Sequence, residues 1–275
     1  MKTIKKCRNN PLFTIVTVVY NDREGLIKTM SSVLSQSFPN MEYIIIDGGS
    51  NDGTIDIIKG CEDKLAYWVS EPDKGIYDAM NKGIAVARGE YINFMNARDV
   101  FYEREVLERV AAQMKAGEDV VFGNLAVELD GMIYEGKATP FYEHMPLHHD
   151  LGFNHQCTFV RTTLAKTHPF DLKYALAADY NMIISLYREG ATFQQLDMIV
   201  SKYDLCGVSQ NNKKHHLWET LLIDNPGRHI YNVVLYVFYR LRHLIFITIW
   251  RILGKIYPTM NVKRKIHRGL IPISE

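Results

Sequence analysis

The sequence predicts an α/β protein: a mainly parallel sheet flanked by helices, followed by an amphipathic C-terminal helical tail. Three observations predict it. Short β-branched runs alternate with segments whose apolar residues recur at helical spacing. Each early run ends in a turn rich in Asn, Asp and Gly. The charge is also divided: from Lys213 onward eleven Lys and Arg face three acids, giving +8, against −7 for residues 1–212.

Phe13 to Val19 is a β-branched run stopped by Tyr20-Asn21-Asp22, and it reads as a buried strand. From Glu24 to Leu34 the residues Leu26, Ile27, Met30, Val33 and Leu34 repeat with helical period. Tyr43 to Ile46 is a second strand, closed by the dense turn signal Asp47 to Gly53, and Thr54 to Lys59 a short helix. Leu65 to Val69, Gly75 to Ala87 and Tyr91 to Met95 then read as strand, helix and strand. Such alternation means right-handed βαβ units and a doubly wound sheet. After Asp99 the pattern loosens. Val120 to Phe122 is a strand, Asn124 to Tyr134 a candidate hairpin around Asp130-Gly131, and Gly136 to Asn154 a long polar loop. His155 to Val160, Ala177 to Arg188 and Gln194 to Tyr203 read as strand, helix and strand. The division expected is a catalytic domain at 1–212, with halves at about 11–99 and 100–212, and a tail at 213–275.

Composition excludes several classes. The four cysteines are scattered without a CxxC pair, so neither a disulfide framework nor a thiolate zinc site is expected. Met1 to Asn10 is polar and basic, so no signal peptide is expected and the location read is cytoplasmic. No G-x-G-x-x-G follows the first strand and no Walker A loop occurs, which disfavours a Rossmann dehydrogenase and a P-loop NTPase.

In an open parallel sheet, ligands bind beyond the carboxyl ends of the strands. Tyr20-Asn21 follows the first strand, Asp47 and Asp52 the second, Glu71 and Asp73 the third, and Asn96 and Asp99 the fourth. Four such turns on one rim predict a polyanion site organised by a divalent cation, because carboxylates alone repel phosphate.

These residues resemble glycosyltransferase family 2, in its bacterial polysaccharide-assembly branch. The likeness rests on Tyr20-Asn21, on the D-G-G-S-N-D-G-T run at 47–54, and on the block S-E-P-D-K-G-I-Y-D-A-M-N-K-G-I at 70–84. It continues through A-R-G-E-Y-I-N-F-M-N at 87–96, His155-Gln156, Ala178-Asp179-Tyr180 and Gly207-Val208-Ser209. It covers roughly residues 11–210. The resemblance implies a GT-A type, Rossmann-like nucleotide-diphospho-sugar transferase fold, a nucleotide-sugar donor with UDP favoured, and Mg²⁺ or Mn²⁺.

Carried over by position, Tyr20 packs on the nucleotide base, or else caps the core at the strand end. Asp47 accepts from the base N–H, or shapes its own turn, and the two readings are compatible. Asp73 lies in the nucleotide pocket, whereas Asp52 caps the helix at Thr54. Asp99 is the last acid of the D-x-D motif and holds the metal; its bland alternative is the start of the following helix. The triplet departs from its pattern as Ala97-Arg98-Asp99 with Asn96 before it. Arg98 is placed to contact phosphate and share the charge otherwise carried by the cation. Asp179 is the base that removes the acceptor proton, or merely a first-turn acid favoured by the helix dipole. His155 and Gln156 line the pocket. His144, His148 and His149 lack the spacing of a zinc site, and His215 or His216 is a weaker candidate for reaching the metal.

In the tail, the apolar runs Val233 to Phe238 and Leu244 to Trp250 are broken by Arg240, Arg242 and His243. No uncharged span reaches about eighteen residues, so the expectation is an interfacial helix on an anionic membrane. Packing against the body or against a homodimer partner is the alternative. Nucleic acid is disfavoured, because the body is acidic and the tail apolar. The function read is an inverting hexosyl- or N-acetylhexosaminyl-transferase, peripheral on the inner face of the cell membrane, acting on a lipid-linked glycan. A sugar-phosphate nucleotidyltransferase and a non-catalytic nucleotide-sugar-binding scaffold are the rivals.

Overall fold

Seven consecutive buried residues, Phe13–Val19, form the strand on which the sheet is built. A strand buried on both faces has no polar side to alternate with, so its sequence reads as a continuous apolar run. The computed structural model describes residues 3–4, 10–129, 132–139, 152–203, 213–256 and 270–272. In chain order the strands are β1 Thr3–Ile4, β2 Phe13–Val19, β3 Met41–Asp47, β4 Tyr67–Ser70, β5 Tyr91–Phe94 and β6 Val100–Phe101. They continue with β7 Val120–Leu129, β8 Met132–Gly136, β9 Thr158–Arg161, β10 Phe193–Tyr203 and β11 Leu270–Pro272. The helices are α1 Arg23–Leu34, α2 Thr54–Gly60, α3 Ile76–Val86, α4 Val106–Gln113, α5 Thr162–Thr167, α6 Ala178–Arg188, α7 Lys213–Asp224 and α8 His229–Ile256.

The order across the sheet is β1-β4-β3-β2-β5-β9-β7-β10-β6. The block β4-β3-β2-β5 is wholly parallel, as expected for the first half. Beyond β5 the sheet becomes mixed: β9 runs antiparallel to both β5 and β7, while β10 is parallel to β7. The parallel expectation therefore holds for the first half and not for the second. β7 and β8 form the predicted hairpin, with Leu129 opposite Met132; its turn, 130–131, lies outside the described residues.

Two apolar layers sandwich the sheet. Phe13, Ile15 and Val19 point toward Leu26, Met30 and Val33 of α1 and Val106 to Val110 of α4. Val16 and Val18 point the other way, toward Met80 and Ile84 of α3 and Met182 and Ile184 of α6. The period-2 alternation of β2 thus feeds both cores. Between α3 and β5 the chain passes directly against β2. A Cβ on Gly89 would lie 2.5 Å from Thr14 N and 2.7 Å from Phe13 C. The same corner holds the buried Glu42 carboxylate, which accepts from Thr14 Oγ1, Arg88 N and the Arg88 guanidinium.

One expectation is corrected here. α7, taken as the start of the tail, packs on the body: Leu221 and Ile223 are buried, and α7 contacts α6. Its apolar positions meet a surface that no local pattern in the sequence announces. α8 in turn starts against α7, with Trp218 on Tyr236. Gly89→Ala is expected to destabilise the fold by about 1–3 kcal/mol, the usual cost of overpacking against rigid backbone. Thermal unfolding would show this as a fall of several degrees, whereas an unchanged Tm would mean that the β2 corner yields.

Candidate functional site

The strand order places a topological switch between β2, whose chain turns toward β3, and β5, which lies on its other side. Open α/β sheets bind ligands at that crevice. Its two lips are Tyr20-Asn21-Asp22 after β2 and Asn96 to Asp99 after β5. Asn21 takes a left-handed conformation, φ 48°. Its main-chain N–H donates to Ser50 Oγ at 2.7 Å and its side-chain oxygen accepts from Asn51 N at 2.9 Å. Those bonds tie the first rim loop to the second.

Two expected residues, Tyr20 and Asp73, converge beside it. A Cβ on Gly48 would come within 2.5 Å of Asp73 Oδ2 and 3.2 Å of Tyr20 Cδ2. Tyr20 is 65% exposed and stands as an open wall of this cleft. Only the bare glycine leaves room for the carboxylate next to it. Asp47, expected as a direct partner of the base, is instead wholly buried under its own loop. Its oxygens accept from Gly49 N, Ser50 N, Ser50 Oγ and Ser70 Oγ. Of its two readings, the structure carries the turn.

The other rim acids are also largely engaged. Asp52 accepts from Thr54 N and Arg23 N, Glu71 pairs with Lys82 at 3.3 Å, and Asp73 accepts from Gly75 N. The acidic turns therefore do not pool into one polyanion site, because Asp47, Asp52 and Asp73 first satisfy nearby backbone donors and Glu71 pairs with a lysine. Among the described residues no group of three His, Cys, Asp or Glu side chains gathers to hold a metal.

The turn after β5 closes with Asp99 N donating to Asn96 O at 2.9 Å. Its third residue is Arg98, at φ 82°, in the region that glycine normally occupies. An L-residue there costs on the order of 1–2 kcal/mol. The Arg98 guanidinium lies on Asp22, with Nε 2.6 Å from Oδ2, so in the structure it faces the N-terminus of α1. Asp99 is 6% exposed, and its main-chain oxygen accepts from Thr29 Oγ1. Asn96 presents its side-chain nitrogen to His155 Nε2 at 3.0 Å, while its Oδ1 is buried without a partner among the described residues.

His155 begins a 3₁₀ turn, His155–Cys157, and joins the two halves of the site. Its Nδ1 lies 3.4 Å from Oδ2 of Asp179. Asp179 Oδ1 accepts from Tyr77 O–H and Tyr180 N–H, both at 2.9 Å. Burial works against charge on both partners of the pair. The hydrogen bond and charge of Asp179, with Asp99 nearby, nevertheless hold the imidazole above its ordinary value. His155, Tyr180 N–H and Tyr77 hold the Asp179 carboxyl below the usual carboxylate range. Burial first, and then the Asp179 charge, push the Tyr77 phenol well up, so it stays a donor. Were the ring charged, Nε2 would carry a proton and the Asn96 amide would turn its carbonyl inward.

Asp179 and His155 are the polar ends of a cavity of about 30 Å³ whose other walls include Phe94, Phe153, Phe170 and Met182. Gln156, expected beside His155 in the pocket, is buried away from it, with its main-chain oxygen bound by Asn93. His144, His148, His149 and the motif at 207–209 lie outside the described residues. His215 reaches Glu219 at 3.1 Å rather than the 96–99 turn.

Sequence reasoning missed Glu219. This buried residue of α7 accepts from Ala175 N, Leu176 N and Ala177 N at 2.8, 2.9 and 2.9 Å, at the entrance to α6. Nothing local marks it, since it stands among Lys and His in a segment that reads as solvated. Tyr77 was inside the matched block without a role, and only the fold brings it to Asp179, 102 positions away.

Comparison with known proteins agrees with this architecture. The sequence profile of Glycosyl transferase family 2 matches residues 14–165. An uncharacterised glycosyltransferase of Mycobacterium tuberculosis (strain H37Rv), Rv1514c, is 32% identical over 210 residues, covering 74% of this chain and 79% of that protein. The Escherichia coli UDP-Glc:alpha-D-GlcNAc-diphosphoundecaprenol beta-1,3-glucosyltransferase WfgD is 23% identical over 237 residues, 82% of this chain and 92% of its own. Among solved structures, the mannosyltransferase PcManGT of Pyrobaculum calidifontis, in complex with GDP-Man and Mn²⁺, superposes with a TM-score of 0.60 at 15% identity. That match covers 78% of this chain and 63% of PcManGT, so the chain spans less than two thirds of that structure's length. The fold is that of the GT-A glycosyltransferases, and the chain belongs to glycosyl transferase family 2.

Proposed function

We propose that this glycosyltransferase moves a hexosyl or N-acetylhexosaminyl unit from a nucleotide-diphospho-sugar, foremost a UDP-sugar, to a lipid-linked glycan, inverting the anomeric centre. One observation carries the reading: His155 links the Asn96–Asp99 turn to Asp179 across the switch-point crevice. A donor diphosphate at the turn would then lie within reach of a base. WfgD, whose name gives a UDP-glucose donor and a diphosphoundecaprenol acceptor, supports the substrate classes.

Inversion needs one in-line displacement. The acceptor hydroxyl attacks the anomeric carbon, the bond to the diphosphate breaks, and the hydroxyl proton passes to Asp179. A carboxylate kept ionised by His155 and Tyr77 is ready to take that proton at neutral pH. Tyr20 and Asp73 line the nucleotide pocket, with Tyr20 offering its ring to the base. Asp99 and Asn96 Oδ1, the latter without a partner among the described residues, are hard oxygen donors that fit Mg²⁺ or Mn²⁺. One or two protein ligands suffice for such an ion when diphosphate and water complete its shell. A bound cation would neutralise the leaving diphosphate. Arg98, at the cost of a left-handed backbone, stands beside the same turn and can turn from Asp22 to share that charge.

Two substitutions test this. Asp179→Asn should keep UDP affinity, measured by calorimetry with Mn²⁺, within about twofold while slowing UDP release from UDP-glucose or UDP-GlcNAc roughly 10²–10⁴-fold. Asp99→Ala should instead lose the Mn²⁺-dependent part of UDP binding. Wild-type turnover by the first variant would place the base elsewhere; unchanged affinity in the second would remove Asp99 from the metal.

The chain also works, on this reading, at the inner face of the cell membrane through α8. Ile230, Val234, Val237, Leu241 and Ile245 form an exposed apolar stripe along that helix. At ~100° per residue Arg240 and Arg242 fall on either side of it. The buried side carries Asn232, so the basic residues flank the apolar face rather than oppose it. No Asp or Glu occurs from 225 to 274, so self-pairing of α8 would crowd cations without relief. Among the described residues no helix is long and apolar enough to cross a membrane. An anionic bilayer surface satisfies both features. Val237→Glu with Leu241→Glu should cut binding to vesicles containing phosphatidylglycerol at least about tenfold, leaving UDP affinity unchanged. Unchanged vesicle binding with loss of a dimer would make the stripe a contact between copies.

A further inference from the structure

We propose that Glu219 is a positioning residue for Asp179, acting through the main chain that leads into α6; this rests on the reading of Asp179 as the base. The N-cap of α6 is Ala177, which offers no side-chain acceptor. Alanine is among the poorest residues at that position, and an uncapped first turn leaves its N–H groups without partners. The Tyr180 N–H of that turn goes to Asp179 Oδ1, and a different helix holds the chain just ahead of it. One Glu219 oxygen takes Ala175 N–H and the other takes both Leu176 and Ala177 N–H. Three successive backbone donors on one buried carboxylate fix the direction of the chain as well as its place. Asp179 follows two residues later.

An apolar residue at position 219 would serve packing equally well, since Leu221 and Ile223 already anchor α7. What it could not do is orient three N–H groups. The requirement is strict, because a base displaced by about 1 Å costs around 10²-fold in rate. Other ties keep α6 docked without Glu219. Tyr180 O–H donates to Asp224 Oδ1 at 2.8 Å, and the Arg188 guanidinium donates to Ile223 O at 3.1 Å. Loss of the carboxylate should therefore loosen the entrance to α6 and leave the fold standing.

The test uses the full chain with Glu219→Gln and Glu219→Asp. Hydrogen exchange at the amides of residues 175–177 reads the grip independently of any reaction. In Glu219→Gln it should accelerate at least about tenfold, while UDP affinity stays within about twofold. Turnover of UDP-glucose or UDP-GlcNAc should fall at least about tenfold with the donor KM unchanged, and Glu219→Asp should recover part of it. In an Asp179→Asn background the Gln substitution should add less than about twofold, because both changes disable the same step. Unaltered exchange, or a rate loss that multiplies with Asp179→Asn, overturns the proposal. Loss of UDP binding in both variants would make Glu219 a folding residue and overturns it too. Full turnover by Asp179→Asn alone would bring down the base reading, and with it this one, whatever the amides show.

Discussion

The parallel pairing of β2 with β5 is the constraint from which the rest of the molecule follows. Phe13 to Val16 run beside Tyr91 to Phe94, although 78 positions separate Phe13 from Tyr91. The intervening chain must build β3 and β4 outward on one side and then return. Both strands then end at the same rim, with a gap where their onward connections diverge. Tyr20 and Asp73 stand on one side of that gap, and Asn96 to Asp99 on the other. Glycine at 89 is part of the same requirement, since only a chain without a side chain can pass so close to Thr14 on its way into β5.

Electrostatics at this rim is a matter of prior claims. A carboxylate near free backbone N–H groups binds them before it binds anything else, because the bond is local and charge-assisted. Asp47 and Asp52 are spent in this way, and Glu71 is spent on a lysine. Asp179 is engaged too, but by groups that keep it charged and oriented, two of which come from distant segments. What sets Asp179 apart from Asp47 is the origin of its donors and what lies beyond them. Behind Asp47 lies its own loop, whereas a cavity opens beside Asp179.

Much of the first half, about residues 11–99, was legible in the sequence, because its signals are local. The strand runs, the helical periods and the Asp-Gly-Gly turn depend on neighbours within a few residues, and β2 through α3 appear within two residues of their expected bounds. The second half was harder. Its pairings are mixed in direction, and β9 starts three residues later than the apolar run suggests because His155–Cys157 forms a 3₁₀ turn first. Asp179 and Asp99 were legible as a motif match; their link through His155 was not, since no spacing encodes a contact across 59 residues. Glu219 was hidden for the opposite reason. Its local context is charged, and its burial is created wholly by tertiary packing.

The return of the chain end to the sheet bears on how α8 can move. Leu270–Pro272 pairs with β8, so the segment that carries α8 is tied to the body both before the helix and after it. A helix of 28 residues is about 42 Å long. Its first turns pack on α7, with Trp218 against His229 and Tyr236, so that end of the helix is bracketed to the body and turns with it. Were such a bracket laid on a flat surface, only spin about the surface normal would remain free. The height and tilt of the crevice above that surface would then be properties of the fold, set once at folding rather than sampled at each encounter.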